Sequence, residues 1–225
     1  KNIQIRADLE KVLKQRNAAL FYTENQNESQ EYFLYWNEKL VEYGKKLWKT
    51  RISFINDFRS SVDAIINRYD GGISFGLEYA QQGLSSEAYK KKLIEIKTKD
   101  IKYRTTTIGP HRDNVLFKLN NKDIRLFGSQ GEHKIALVIL KLAEVLFIKN
   151  KTKQYPMLLL DDVFAKLDLE RSRKLVCLIN DLETDSDDQL QTIVTTTDIV
   201  DIKNSGMFDT DKETVTHRLK RECNT

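Results

Sequence analysis

The stretch Met157-Leu158-Leu159-Leu160-Asp161-Asp162 decides the fold class of this chain. Its four consecutive apolar residues, directly after Pro156, predict a strand in the middle of a parallel sheet, where both faces are buried. Two carboxylates follow at the carboxyl end of that strand, and in open α/β sheets this edge is where ligands bind. The stretch therefore predicts an α/β fold with acidic groups at its ligand-binding edge.

The two carboxylates, Asp161 and Asp162, have a functional and a purely structural interpretation. A carboxylate at a strand end can hold Mg²⁺, directly or through water, and its neighbour can orient or deprotonate a hydrolytic water. That is the Walker B arrangement of P-loop ATPases. Alternatively, the two acids simply begin a loop or cap a turn. The pair alone does not distinguish between these interpretations.

The segments on both sides of this strand support the α/β prediction. A helix over residues 133–149 is apolar nearly all round, with Lys134, Lys141 and Glu144 as its only polar stripe, so it packs against a sheet. Asp168 is a suitable N-cap for a further amphipathic helix, and residues 191–195 predict another strand. Strand, helix and strand in succession are typical of α/β folds.

Two further polar segments are predicted at the same edge of the sheet. Ser129-Gln130-Gly131-Glu132 opens the buried helix, and a small glycine-containing loop at a helix N-terminus presents N–H groups to phosphate. Thr195-Thr196-Thr197-Asp198 follows the next predicted strand. Three loops with phosphate or metal chemistry at one edge favour a shared functional site over coincidence.

The first hundred residues are predicted to be mainly helical. Residues 1–21 contain neither Gly nor Pro, residues 23–30 have turn composition, and the apolar positions of residues 31–69 recur at steps of three and four. The pattern misses a step at Arg51, where we expect a bend or break. We predict a helical lobe with one or two short strands over residues 1–104, and a second domain over residues 105–225.

Shorter patterns predict the strands and turns that connect these parts. Residues 73–79 alternate between apolar and polar as a half-buried strand does, and Ser85 or Ser86 caps a short helix to about residue 99. Residues 115–119 and 124–127 flank Asn120-Asn121, which predicts a β-hairpin.

Composition limits the classes of function. The chain has 37 Lys and Arg against 33 Asp and Glu, and its net charge of +4 is too slight to indicate a nucleic-acid partner by itself. Lys141 and Glu144 interrupt the most apolar stretch, so no membrane span is predicted. Two cysteines in 225 residues argue against a disulfide framework and for a reducing compartment.

Six short motifs, spread in a fixed order over nearly the whole chain, carry a family resemblance. They are Lys14-Gln15-Arg16-Asn17-Ala18, Ile108-Gly109-Pro110-His111-Arg112-Asp113, Gly128-Ser129-Gln130-Gly131-Glu132, Leu140-Lys141-Leu142-Ala143-Glu144, Leu158-Leu159-Leu160-Asp161-Asp162-Val163 and Thr195-Thr196-Thr197-Asp198. With them the chain resembles the ATPase heads of the ABC and SMC superfamily, most closely the RecF family of bacterial recombination-repair proteins. The resemblance implies the C-terminal half of an α/β head, a partly parallel sheet flanked by helices, with an attached long-helix lobe.

The resemblance also implies roles for individual residues. Ser129, Gln130 and Gly131 are similar to the family signature loop, which binds the γ-phosphate of a nucleotide held by the opposite subunit. Asp161 corresponds to the acid of the Mg²⁺ shell, and Asp162 to the catalytic base.

Three further positions follow from the same resemblance. Asp168 is similar to the D-loop aspartate, which reaches across the dimer. Thr196, Thr197 or Asp198 stands where many relatives carry a switch histidine, and Thr197 is taken as the nucleotide contact. Glu132-His133-Lys134 differs from the Gln-Gln-Arg expected after the signature loop, which leaves nucleotide contacts by these side chains open.

A phosphate-cradling loop of the pattern G-x-x-x-x-G-K-[ST], which a complete head should contain, does not occur in the 225 residues. The single Gly-Lys pair, Gly44-Lys45, lies within the predicted long helix. We therefore expect a C-terminal portion of such a protein that lacks the ATP-binding segment, binds ATP weakly or not at all, and is inactive alone.

For the complete protein, the resemblance implies ATP and Mg²⁺ as cofactors and an ATP-dependent homodimer on single- and double-stranded DNA. It further implies slow ATP hydrolysis, help in loading recombinase at gaps together with recombination-mediator proteins, and a cytoplasmic, nucleoid-associated location without membrane contact.

The alternative function is a non-catalytic helical module that binds DNA or a partner protein. Lys45, Lys46, Lys49 and Arg51 form a local basic run beside Trp48, and such a run binds phosphate without regard to sequence. A solvated helix face is the more usual role of such a run. The roles of His111 and Arg112 are also left open between anchoring a strand end and a nucleotide-linked or interdomain function.

Overall fold

The computed structural model describes residues 2–22, 28–69, 72–80, 85–165, 167–184, 190–197, 203–207 and 215–217. The helices are α1 (Asn2–Tyr22), α2 (Glu28–Arg68), α3 (Ser86–Glu95), α4 (Lys97–Tyr103), α5 (Ile124–Phe127), α6 (Gln130–Thr152) and α7 (Leu169–Thr184), with a 3-10 turn at Pro110–Arg112. The strands are β1 (Phe75–Ala80), β2 (Asn114–Leu119), β3 (Lys122–Asp123), β4 (Leu158–Asp161) and β5 (Thr192–Thr195). One sheet has the order β1-β2-β3, and β4 pairs with β5 in another.

The chain divides into two compact units. The first comprises Lys1–Ser60 and Gly76–Lys118, and the second comprises Ser61–Phe75 and Leu119–Thr225. The three boundaries within the chain fall inside α2, at the start of β1 and at the end of β2. The division predicted between residues 104 and 105 stays a prediction.

The core of the first unit is formed by helices α1, α2 and α3. Its buried members are Leu9, Val12, Leu40, Val41, Leu47, Trp48, Tyr89 and Leu93. They recur at a step of three along α1, of seven along α2 and of four along α3, so each helix buries one face in this core. The N-cap of α3 is Ser85, whose hydroxyl accepts a hydrogen bond from the Ala88 N–H at 3.1 Å, as predicted.

The break expected in the long helix is wrong, because α2 runs unbroken from Glu28 to Arg68. At the missed step of the apolar pattern, the Arg51 guanidinium donates to the Pro110 carbonyl and to the Tyr79 hydroxyl, the latter at 3.4 Å. A polar side chain with partners thus replaces an apolar one without interrupting the helix.

A fully buried ion pair joins α1 to α4. Arg16 Nη1 lies 2.8 Å from Asp100 Oδ2, and both side chains are 0% exposed. The Arg16 guanidinium also donates to Asn37 Oδ1 at 2.6 Å and to Thr106 Oγ1 at 2.7 Å. Burial lowers the pKa of Arg16, and the adjacent Asp100 carboxylate opposes that shift. Because charges are buried only when paired and hydrogen-bonded, this cluster fixes the packing of the first unit.

The predicted hairpin is only partly present. Asn120 and Asn121 have φ values of +49° and +64°, the left-handed conformation that a two-residue hairpin turn requires. The strand predicted over residues 124–127 is wrong, because these residues form the helical turn α5. Asp123 caps that turn by accepting a hydrogen bond from the Arg125 N–H at 3.0 Å. A local capping interaction therefore ends the returning strand after two residues.

In the second unit, β4 and β5 form the predicted parallel pair, in register from Leu158 opposite Thr192 to Asp161 opposite Thr195. The prediction that β4 is buried on both faces is wrong for this chain. Leu158 and Leu160 are 3% exposed, whereas Leu159 between them is 64% exposed. The alternation shows that one face of the sheet packs on the core while the other is uncovered by the described residues. None of the helices that the structure describes has both the length and the apolarity needed to cross a membrane.

Candidate functional site

The carboxyl ends of β4 and β5 bring two acids and a hydroxyl together. Asp161 faces Thr195 in the strand register, and the Thr195 hydroxyl donates to Asp161 Oδ1. The next residue, Asp162, has a φ of +49°, so the chain turns sharply there, and its N–H donates to the Thr195 carbonyl at 3.1 Å. Parallel pairing thus places the acidic pair at the edge that the sequence predicted.

The carboxylate of Asp162 contains an unpaired buried atom. Among the described residues, its Oδ1 is buried and has no hydrogen-bond partner. Leaving a carboxylate oxygen in that state costs free energy, so such an atom points to a ligand, an ion or a water in the working site.

The donor set at this edge fits a magnesium ion. Asp161 has its carboxylate against the Thr195 hydroxyl, Asp162 supplies a second carboxylate next in the chain, and Mg²⁺ prefers such oxygen ligands. The part of the chain that the structure describes contains no group of three or more His, Cys, Asp or Glu residues able to hold a metal. This agrees with the usual Mg²⁺ site, where one or two carboxylates act together with phosphate oxygens and waters.

Sequence reasoning placed Lys134 on a polar stripe but missed its contacts with the loop after β4. It lies on the first turns of α6, and its ammonium donates to the carbonyl oxygens of Asp162 at 2.7 Å and Ala165 at 2.6 Å. The signal was its place on the polar stripe of an otherwise apolar helix. Through these two hydrogen bonds the helix that follows the signature loop holds the loop that follows β4.

The signature loop itself is a well-formed helix start. Ser129 is the N-cap of α6, and its hydroxyl accepts a hydrogen bond from the Glu132 N–H at 3.3 Å. Glu132 returns the interaction by accepting from the Ser129 N–H at 2.8 Å, and the hydrogen bonds with Ser129 lower the pKa of this carboxyl. His133 Nδ1 lies 2.8 Å from the Ser129 carbonyl oxygen. Glu132 and His133 therefore have local structural partners at the helix start.

The signature loop and the predicted D-loop lie next to each other. A Cβ added at Gly131 would stand 2.9 Å from Arg171 Nη1, so only glycine lets this guanidinium approach the loop so closely. Asp168 caps α7 by accepting a hydrogen bond from the Arg171 N–H at 2.8 Å, as expected of an N-cap. Gln130 and Asp168 are both exposed. The structure thus brings Gly131 and Asp168 together through Arg171.

The end of β5 adds a contact that was not predicted, and the nucleotide contact predicted for Thr197 stays a prediction. Thr197 is exposed, and Asp198 lies outside the described residues. Thr195, two positions before Thr197, is the residue that contacts Asp161. Its signal was the parallel register of the strands, which the sequence pattern alone did not fix.

Comparison with known proteins identifies the family. No protein-family model matches the chain. The DNA replication and repair protein RecF of Natranaerobius thermophilus is 35% identical over 206 residues, which is 85% of this chain and 52% of that protein. The RecF protein of Streptococcus gordonii is 35% identical over 200 residues, which is 86% of this chain and 53% of that protein. The chain belongs to the RecF family.

Solved RecF structures confirm the predicted fold class. The recombination mediator protein RecF of the RecFOR pathway, bound to ATP, matches with a TM-score of 0.70 and 28% identity over 88% of this chain and 53% of that one. A second RecF structure matches with a TM-score of 0.69 and 25% identity. The chain therefore has the fold of an ABC-type ATPase head segment with a long-helix lobe. It spans about half the length of the curated RecF relatives it matches.

The basic run that sequence analysis offered for DNA binding in this RecF-family chain is largely engaged within the chain. Lys45 donates to Ser86 Oγ at 3.0 Å, and Lys46 donates to Glu42 at 2.7 Å. Arg51 holds the Pro110 carbonyl, and Lys49 is exposed. DNA binding by these four side chains stays a prediction.

The Gly109-Pro110-His111-Arg112-Asp113 motif of this RecF-family chain anchors a turn. Asp113 Oδ2 accepts from Trp48 Nε1 at 2.6 Å and from the Tyr79 hydroxyl at 2.5 Å, and burial, with the Asp113 carboxylate adding to it, raises the pKa of Tyr79 to about 12. His111 Nε2 lies 3.0 Å from the Thr106 carbonyl oxygen, and burial lowers the pKa of this imidazole. These contacts support the structural one of the two roles left open for His111.

Proposed function

We propose that this chain acts as part of a RecF-like DNA repair and replication ATPase. In the complete assembly, ATP drives homodimerisation on single- or double-stranded DNA, hydrolysis is slow, and the dimer assists in loading recombinase at gaps. The relatives carry the names of replication, repair and recombination-mediator proteins, which supports this function. The partners we propose are DNA and recombination-mediator proteins, in the cytoplasm at the nucleoid.

One observation carries the proposal. The edge formed by Asp161, Asp162 and Thr195 contains a buried, unpaired carboxylate oxygen, Asp162 Oδ1. Lys134, on the helix that begins with the predicted signature loop, donates a hydrogen bond to the backbone carbonyl of Asp162. Each of the two coupled parts suits contact with a phosphate group, because acids act on water and cation while a helix start attracts anionic oxygens.

The proposed roles follow from these positions. Asp162 orients the attacking water and accepts its proton, and Asp161 holds Mg²⁺. When bound, Mg²⁺ neutralises charge on the phosphate oxygens. Ser129, Gln130 and Gly131 bind the γ-phosphate of a nucleotide held by the opposite subunit.

Two further polar side chains, Asp168 and Thr197, also have proposed roles. Asp168 is exposed beside the signature loop, and we propose that it reaches the partner subunit. Thr197 is exposed after β5, and we propose that it contacts the nucleotide when the two subunits close.

The test uses Asp162→Asn in a protein that carries this chain together with a P-loop segment. Removing a general base typically lowers a rate by about 10²- to 10⁴-fold, so steady-state ATP hydrolysis should fall within that range. ATP-dependent dimerisation, followed by light scattering, should persist because asparagine keeps the shape of the side chain. Asp63→Asn, at an exposed position on α2, is the matched control and should change neither property. Unchanged hydrolysis by Asp162→Asn would contradict the proposal.

The isolated chain provides a second test. It contains no G-x-x-x-x-G-K-[ST] loop, so we expect it to bind a fluorescent ATP analogue weakly or not at all and to hydrolyse no ATP. Tight binding of the analogue by the 225 residues alone would show that the phosphate cradle lies elsewhere in the chain.

A non-catalytic interaction module remains the second candidate, because α2 exposes several large apolar side chains. Leu34 is 54%, Tyr35 51% and Phe54 49% exposed. Exposed apolar groups along one helix suit contact with a partner protein. Full repair activity in cells that carry the Asp162→Asn protein would favour this module over the ATPase.

A further inference from the structure

The positive charge of this chain is unevenly distributed, and one short segment besides residues 45–51 is clearly basic. Residues 85–104, which contain α3 and α4, include seven Lys or Arg residues and three Asp or Glu residues, a net charge of +4. The whole chain also has a net charge of +4, so the other residues contain thirty basic and thirty acidic side chains and balance to zero. Averaged over the whole chain, a net charge of +4 is too slight to indicate a partner. Residues 85–104, however, carry that same net charge in only twenty residues.

The fold turns this segment's basic side chains outward. Tyr89 and Leu93 of α3 are buried, at 1% and 0% exposure. Asp100 of α4 is also fully buried, and its charge is neutralised internally by Arg16. An acidic group is thereby removed from the surface of the segment, which leaves its outer face more positive than the sequence count.

Four side chains of α4 and its C-cap, together with Phe21 at the end of α1, form one surface, here called the α4 surface: Phe21, Lys99, Lys102, Tyr103 and Arg104. Tyr103 is 59% and Phe21 is 54% exposed. The Arg104 guanidinium lies 4.8 Å from the centre of the Phe21 ring, and the Lys102 ammonium lies 6.0 Å from that of Tyr103. Each of the two exposed rings therefore has a cation beside it on this surface.

Two features keep this surface in place. Ile101, between the exposed residues of α4, packs against Ala19, Leu20 and Phe33 of α1 and α2. Arg104 has a φ of +51° and closes the helix with its N–H donating to the Asp100 and Ile101 carbonyls. The rings and cations thus stand on a fixed helix end rather than on a free loop.

We propose that the α4 surface binds single-stranded DNA, with the cations on phosphates and Tyr103 stacking on an unpaired base. The inference rests on the proposed DNA-linked function and adds to it the surface and the form of DNA. Lys and Arg bind phosphates of any sequence and release counterions. Exposed aromatic faces add stacking with bases, which only unpaired strands present. The bases of duplex DNA are stacked on one another, so a duplex contacts only the cations of this surface, through its phosphates.

The test measures fluorescence anisotropy of labelled oligothymidine and of a duplex of equal length with the 225-residue chain. Tyr103→Ser should weaken oligothymidine binding by about tenfold and leave duplex binding unchanged, whereas Tyr103→Phe should bind like the parent chain. Tyr35→Ser, at a tyrosine of similar exposure on α2, is the matched aromatic control and should have no effect. Equal losses for both DNA forms with Tyr103→Ser would overturn the stacking role.

The charge test uses Lys99→Glu, Lys102→Glu and Arg104→Glu combined. For oligothymidine, the slope of log affinity against log salt should fall by about 2, since each lost contact contributes about 0.7. The control combines Lys122→Glu, Lys141→Glu and Lys203→Glu, which change the net charge equally at exposed positions of the second unit. Equal losses with both triple variants would show that only net charge matters and would overturn the inference.

The outcomes separate this inference from the proposed function. If the parent chain binds neither form of DNA at low salt, DNA binding by this chain is wrong and the inference is wrong with it. If the parent chain binds and the α4 variants bind equally well, only the inference is wrong. Circular dichroism and melting temperature establish that each variant is folded, and the conservative Lys→Gln and Arg→Gln versions replace any triple variant that is not.

Discussion

The Lys134 ammonium donates a hydrogen bond of 2.7 Å to the carbonyl oxygen of Asp162. The two residues are 28 positions apart and belong to different motifs, one following the predicted signature loop and the other following strand β4. A charge-assisted hydrogen bond is about twice as strong as a neutral one, so this contact fixes the position of the acidic loop relative to α6. It makes Lys134 a positioning residue for the proposed chemistry.

Lys134→Met should lower the free energy of unfolding of the chain by about 1–2 kcal/mol. It keeps the apolar stem but leaves the Asp162 and Ala165 carbonyls without their shared donor. Urea denaturation followed by circular dichroism measures the change. Lys141→Met is the control on the same helix, because Lys141 makes only an exposed pair with Glu144, and it should change stability by less than about 0.5 kcal/mol.

Arg16→Met should destabilise the chain by about 3–5 kcal/mol, because it leaves the Asp100 carboxylate buried without its partner. The same urea experiment tests this. Arg6→Met removes an ion pair with Glu10 in which both side chains are more than half exposed, and this control should cost less than about 1 kcal/mol. Similar small losses for both variants would show that the buried pair does not fix the packing of the first unit.

Gly109→Ala should destabilise the chain by about 3 kcal/mol through strain and a clash. Gly109 has a φ of +130°, and an added Cβ would overlap the Tyr89 hydroxyl. Combining Gly109→Ala with Tyr89→Phe should restore part of the loss, because the clashing oxygen is then gone. Gly72→Ala, with a φ of +58° and open space around it, measures the strain alone and should cost about 1 kcal/mol. The variants are compared by urea denaturation.

His111 should make the stability of the chain fall as the pH is lowered. Burial lowers the pKa of its imidazole below the ordinary 6.5, with Arg112 and Arg16 adding to the shift while the Thr106 carbonyl and Asp113 oppose it. The unfolded chain therefore takes up this proton first, and stability present above about pH 6.5 is lost as the pH falls toward the folded-state pKa.

The measurement for His111 is the free energy of unfolding at about pH 7.5 and about pH 5.5, for the parent chain and for His111→Gln. Glutamine can still donate to the Thr106 carbonyl but does not titrate, so its loss of stability at the lower pH should be smaller. An equal loss in both proteins would assign the pH dependence to other groups.

Much of the candidate site follows from local sequence. Ser129 and Glu132 stand three residues apart and form a capping box, and Asp168 caps the next helix, because a cap depends only on neighbouring backbone groups. The apolar run before Asp161 likewise predicts a strand from the local sequence alone. Local patterns failed where a competing contact decided, as at residues 124–127, where the Asp123 cap replaced a strand.

The sequence by itself determined the parallel pair of strands, the buried faces of α1 and α2, and the motifs that identify the RecF family. These features depend on periodicity and on the order of residues over short stretches. Only the tertiary structure decided that Thr195 contacts Asp161, that Lys134 holds the loop after β4, and that Asp100 pairs with Arg16. Each of these depends on strand register or on contacts between residues at least 28 positions apart. Such pairings are set by how whole elements pack, and no local pattern encodes them.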